Sequence, residues 1–220
     1  MPGADGTPHQ GHHRHVRLVR EAGFGQPPAD PQWKCIPIPG DGWKVRSTRA
    51  CFRPNTNMGG TGTRVVIPHL LSPQGSFTTV PYPELTAFLL DAALERTAGD
   101  ELHSFSADYY TPADSRRYLG LTVDALTLSA TGLENADVQI KLDFQGATEE
   151  ANDTVTEPDF DYSGITTTPF MFRDGSIELS DTTVADVRSF TLRVDNHLQP
   201  GPNLGNARAY LLAGRRDITL

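Results

Sequence analysis

Apolar and polar residues alternate with a period of two along most of the chain, and the pattern changes to a helical period at one place. Residues 137–145 (DVQIKLDFQ) are the cleanest case, with Val138, Ile140, Leu142 and Phe144 on one face and Asp137, Gln139, Lys141 and Asp143 on the other. Residues 186–196 repeat the pattern through Phe190, Leu192 and Val194, and residues 102–110 set Phe105, Ala107 and Tyr109 against Ser104, Ser106 and Asp108. In residues 117–131, Leu119, Leu121 and Val123 share one parity while Leu126 and Leu128 share the other, which predicts a bulge or bend near Asp124-Ala125. Earlier strands are predicted over 15–21, 63–69 and 75–80, the last two separated by a turn at Ser72-Pro73-Gln74-Gly75. The helical pattern is Leu85, Phe88, Leu89, Ala92 and Ala93, opened by Pro83 and Glu84 and followed by Gly99.

Between these elements the chain is rich in turns. Residues 1–13 are polar and His-rich and read as a disordered tail, ahead of a domain spanning 14–220. Residues 29–62 carry Pro31, Pro37, Pro39, Pro54 and several glycines, so the short extended pieces at 34–38 and 43–47 read as edge strands or an extended arm. Residues 147–161 hold six acids and no base and read as a long acidic loop. Asp174-Gly175 marks a hairpin between 169–173 and 176–179, and residues 207–212 and 217–220 close the chain. Many short strands, one helix and long Gly/Pro-rich loops predict a mainly β fold, an antiparallel β-sandwich or barrel with one flanking α-helix.

Composition narrows the function. The 220 residues carry a formal net charge of −8, which argues against a generic nucleic-acid binder. That total conceals a split: residues 1–80 hold nine bases and four acids (+5), and residues 81–220 hold ten bases and 23 acids (−13). Such a chain complements another copy of itself head to tail. The bases are 16 Arg and 3 Lys, as expected of either interface contacts or a GC-rich genome. No apolar run approaches a membrane span, and no membrane partner is expected. Cys35 and Cys51 make neither a disulfide framework nor a zinc site. There is no GxSxG, HExxH or Walker lysine, residues 149–161 lack a calcium-loop order, and the Gly-rich 58–63 reads as a loop. No catalytic, metal or cofactor constellation is found, and the chain reads as a non-enzyme.

Several stretches, taken in order, resemble the tail tube protein of long-tailed, siphovirus-like bacteriophages. They are His15 to Gln26 with its Glu-x-x-Phe-Gly ending, and the Pro-Tyr-Pro-Glu entry to the apolar helix. The Gly-containing strand of 118–145, Pro169-Phe170-Met171-Phe172 followed by FTLRVDNHL, and the closing Gly214-Arg215-Arg216-Asp217-Ile218-Thr219 complete the series. Related chains run further after that last motif, whereas this one stops at Leu220 in what reads as a strand.

The resemblance implies a structural virion protein. Six copies form a ring whose inner sheets close into a barrel, and rings stack head to tail into the tube through which phage DNA passes without specific binding. It further implies the tape measure and other tail proteins as partners, assembly in the host cytoplasm, and residence in the phage tail. On that footing Asp137, Gln139, Lys141 and Asp143 are candidates for the lumen. Arg46, Arg49, Arg53 and Arg64 are candidates to meet Glu149, Glu150 and Glu157 of another copy. The alternatives are another β-rich tail or capsid component, such as a terminator or decoration protein, and a carbohydrate-binding β-sandwich using Tyr109/Tyr110 or Trp33/Trp43.

Overall fold

The computed structural model describes residues 14–40, 42–52, 67–96, 101–131, 138–171, 178–179, 182–183, 189–200, 203–204, 207–208 and 211–220. Its framework is one ten-stranded antiparallel sheet. The strands are β1 (His15–Arg20), β2 (Lys34–Ile36), β3 (Arg46–Phe52), β4 (Ile67–Thr79), β5 (Phe105–Thr111), β6 (Asp114–Thr131), β7 (Gln139–Gln145), β8 (Thr148–Ala151), β11 (Ser189–Asp195) and β16 (Asp217–Thr219). Two-residue strands pair outside it: β9 (Glu178–Leu179) with β10 (Thr182–Thr183), β12 (Gln199–Pro200) with β15 (Leu211–Leu212), and β13 (Asn203–Leu204) with β14 (Ala207–Arg208). The single helix among the described residues is α1 (Pro83–Leu94). No closed barrel forms among the described residues, and the fold is mainly β and sandwich-like.

Strand β6 organises the molecule because it belongs to two limbs of the sheet. Its first half pairs with β5 on one side and β8 on the other, giving a first limb β2-β1-β5-β6-β8. Its second half lies between β7 and β11, giving a second limb β16-β11-β6-β7-β4-β3. At the changeover Gly120 has φ +68°, and a Cβ there would lie 2.7 Å from that of Ala147. The ladder shifts register between Val123 and Ala125, where the change of apolar parity predicts a bulge.

The core lies between the limbs. It joins Val16, Leu18 and Ile36 of the first to Leu126, Ile140, Leu142, Phe144 and Val194 of the second, and α1 adds Leu85, Leu89, Ala92 and Ala93. The α1 stripe is therefore the one its spacing predicts. Ladders fix which face of each strand looks inward, so burying one apolar member per pair fixes the register of the rest.

Two sequence expectations change. The turn at Ser72–Gly75 does not form, and β4 runs straight through it. Pro73 lies just past the β7 ladder, where its carbonyl accepts the Gly146 N–H at 2.8 Å. Gly75 has φ +153° and lies so close to the Lys44 carbonyl that a side chain would collide with it. The Pro and Gly thus permit close strand approach rather than reversal. Residues 147–161, read as a long acidic loop, form β8 and a 3-10 turn at Glu157–Asp159 that fold against the first limb. Among the described residues, 34–36 form an edge strand, one of the two readings the prolines allow, while the second edge strand runs over 46–52 rather than 43–47. The hairpin expected at Asp174-Gly175 lies outside the described residues.

Candidate functional site

Charged side chains are disposed differently on the two limbs. One register row of the first limb runs Cys35, Arg17, Asp108, Arg117, Glu150 across five strands. Asp108 is fully buried and binds both arginines, with Arg17 Nε donating at 2.9 Å and Arg117 Nε at 2.7 Å, and it accepts Asn152 Nδ2 at 3.0 Å. The Arg17 and Arg117 guanidinium groups lie 4.5 and 5.6 Å from the Trp33 ring centroid. Val155, Phe160 and Cys35 close over this face as a small second core. Asn152 is consumed here as a buried donor.

Two clusters tie loops to this frame, and they account for the short motifs. The Glu21 carboxylate accepts the Ser104 and Ser106 hydroxyls at 2.5 and 2.7 Å and the Gly25 and Gly120 N–H groups at 2.7 and 2.9 Å. The Glu-x-x-Phe-Gly turn is thereby fixed to the bend of β6. Asn196, fully buried, donates to the Ala93 and Val123 carbonyls at 3.0 and 3.1 Å and accepts Arg216 Nε at 3.0 Å. Arg216 also donates to the Leu94 carbonyl at 2.9 Å, so the Asp-Asn and Gly-Arg-Arg motifs meet at the C-terminus of α1, which has no basic residue of its own. At the other end, Glu84 accepts the Thr166 and Thr167 hydroxyls and N–H groups. These bonds, that from the Thr167 hydroxyl first, hold its carboxyl down at about 2.

The second limb carries its charges outside. The apolar side of β7 faces the core, as its alternation predicts, and Gln139, Lys141 and partly covered Asp143 face away. Cross-strand register extends this polar side over five strands. One row reads Thr219, Arg193, Thr127, Lys141, Thr78, and the next Asp217, Asp195, Ala125, Asp143, Ser76. Each cation holds an acid two residues along its own strand: Lys141 Nζ lies 2.7 Å from Asp143 Oδ1, and Arg193 NH2 3.0 Å from Asp195 Oδ2. His197 bridges to Asp217 at 2.9 Å, and that hydrogen bond raises its pKa above the usual 6.5. Alternation within β7 located the first strand of this face. Its neighbours were invisible because register is not a local property.

The other site candidates separate. Asp137, Arg53 and Arg64 lie outside the described residues, and Arg49 is placed in β3 by its backbone alone. Arg46 is exposed at the start of β3. Glu149 lies 3.2 Å from Arg116 of its own chain and Glu157 3.5 Å from His15, while Glu150 is exposed opposite Arg117. The aromatic pairs considered for sugar binding turn their rings inward. Tyr109 stacks on Trp43 at 5.7 Å, Tyr110 lies 5.9 Å from Phe160, and Trp33 is covered by the two arginines. No group of three or more metal-ligating side chains gathers among the described residues. No helix among them is long and apolar enough to cross a membrane.

What the described residues offer is an extended polar sheet face. No curated protein matches the chain. A family model described as phage tail tube protein matches residues 11–220.

Proposed function

The chain belongs to the phage tail tube protein family and is a structural protein of the phage tail, and we propose that it assembles into rings, six copies each as the resemblance implies, stacked head to tail around a channel for DNA. The observation that carries this reading is the second limb, a six-stranded sheet with an apolar inner face and a polar outer face. As the wall of a channel, that outer face offers DNA little to grip. Lys141 and Arg193 already hold acids, the other groups of the two rows from β16 to β4 are Thr, Ser, Ala and carboxylates, and the exposed bases Lys44 and Arg46 lie at the β3 edge. Gln139, Lys141 and Asp143 face the lumen in this reading, with Asp137 continuing the same alternation.

Negative-stain microscopy of the purified protein tests the assembly: tubes or six-fold rings are expected, and a stable monomer at high concentration would refute it. Asp137→Lys with Asp143→Lys tests the lumen, and is expected to impair DNA ejection more than tube formation. Equal loss of both would remove the lumen assignment. Contacts from Arg46, Arg49, Arg53 and Arg64 to Glu149, Glu150 and Glu157 of a stacked copy remain part of the proposal. Charge reversal of the arginines should weaken tubes and be partly restored by reversing the acids.

A further inference from the structure

Side chains attach strand β16 to the body at two points of different kinds. The first is Arg216, whose guanidinium donates to Asn196 Oδ1 at 3.0 Å and to the Leu94 carbonyl at 2.9 Å, at the C-terminus of α1. There a permanent cation meets neutral acceptors, so the attachment does not depend on pH. The second lies one residue later, where Asp217 meets His197. Past Arg216 the strand has little apolar hold. Asp217, Ile218 and Thr219 are all exposed, Ile218 at 64 %, and among the described residues they pair with β11 alone. Rungs open to water contribute little net free energy, because water competes for the same groups. The side-chain contact at Asp217 therefore weighs in whether the strand stays docked.

That contact is shaped for a cation. His197 has φ +47°, in the left-handed region, which turns the chain out of β11 and sets the ring between β11 and β16. Its backbone N–H donates to Asp195 Oδ1 at 3.1 Å, its Nδ1 lies 3.4 Å from the same oxygen, and its Nε2 lies 2.9 Å from Asp217 Oδ2. An ionised carboxylate only accepts, and a neutral imidazole has one N–H. Whichever nitrogen carries that hydrogen, the other turns a lone pair toward a carboxylate. Only the imidazolium serves both. The chain leading to β16 is pressed against the same loop: the Gly214 N–H donates to the Asn196 carbonyl at 2.9 Å, and a Cβ on Gly214 would lie 2.9 Å from the His197 carbonyl oxygen. The charged groups of this corner are Arg193 and Asp195 on β11, Asp217 on β16, Asp124 on β6, and Arg215, exposed two residues before Asp217. Arg193 is engaged with Asp195 at 3.0 Å, and Asp124 accepts the Leu198 N–H at 2.8 Å.

We propose that His197 is a pH-sensitive clasp: as the imidazolium it locks β16 onto β11 through Asp195 and Asp217, and on losing its proton it lets Asp217–Thr219 leave the sheet while Arg216 stays anchored. The direction follows from the raised pKa of His197, caused first by its hydrogen bond to Asp217. A group raised in the folded state contributes stability that is fully present below its ordinary value of 6.5. That contribution is lost as pH rises through the raised value, so the clasp is closed in mild acid and opens toward the alkaline side of neutrality. It lies within one copy and stands apart from the ring reading.

Amide hydrogen exchange of the full chain, kept dilute and with the intrinsic pH dependence of exchange divided out, tests the clasp. Protection of the β16 amides should fall about threefold between about pH 5.5 and 8.5, the scale of an exposed ion pair, while the β7 amides keep theirs. His197→Asn retains a residue that tolerates the left-handed backbone but does not titrate. It should leave β16 weakly protected at both pH values. Asp217→Asn should lower the titration midpoint of the His197 ring protons, followed by NMR and assigned by their absence in His197→Asn, and should abolish the step in β16. Flat wild-type protection of β16 would overturn the clasp without recourse to any variant. So would a parallel fall in β7, which would make the change global, a step that survives in His197→Asn, or a ring midpoint that Asp217→Asn leaves in place.

Discussion

The two limbs share a strand and a core, yet they treat charge in opposite ways. In the first, Asp108 is buried between Arg17 and Arg117, and Glu21 is wrapped by four donors. Those charges are committed to the fold, because a buried ion left without its partner is costly. In the second, Lys141–Asp143 and Arg193–Asp195 lie on an open face and pair with near neighbours on their own strands. Surface pairs of this kind contribute little to stability. One limb thus uses ionic groups to specify a shape, and the other displays them to whatever lies outside.

The contrast can be broken most directly at Asp108. Asp108→Ala leaves two partly buried guanidinium groups unpaired and is expected to cost about 3–5 kcal/mol in urea unfolding. A loss below 1 kcal/mol would mean that the row is not a framework. Next comes the bend between the limbs. Gly120→Ala adds a Cβ at positive φ and within 2.7 Å of Ala147, and should cost about 2 kcal/mol by the same measurement.

Titration gives a sharper test of the contact between residues 166–167 and the first turn of α1. With its pKa held at about 2, Glu84 contributes stability that is present above the unfolded carboxylate value and lost as pH falls through about 2. Thr167→Ala should raise that pKa, read by NMR of the carboxyl carbon. An unchanged titration would remove the Thr167 hydroxyl as its main cause. The smallest effect belongs to the second limb. Lys141→Ala should change stability by no more than about 0.5 kcal/mol, checked in the same unfolding assay, since the pair is open to solvent.

What could be read from sequence follows the same division. The alternation of β7, the stripe of α1 and the parity change at Asp124-Ala125 are local patterns, and each forms as its spacing predicts. The buried triad was not legible, because Arg17 and Asp108 sit at positions that alternation assigns to solvent and only the strap over that face reveals otherwise. Ser72-Pro73-Gln74-Gly75 carried a turn signature, but β3 and residues 42–47 keep β4 extended past it. The outer face of the second limb was visible one strand at a time. Its assembly into charged rows depends on register, which is fixed by burial on the opposite side.

Strand β6 carries a mechanical consequence. Its 18 residues are paired along their length, on both sides over the middle of each half, by β5 and β8 in one limb and by β11 and β7 in the other. A pull along its axis would load those bonds together, in shear, where a free hairpin end would yield one rung at a time. Tension applied to one limb would pass into the other through a single covalent span, so parting the two limbs would mean breaking both sets of ladder bonds on β6.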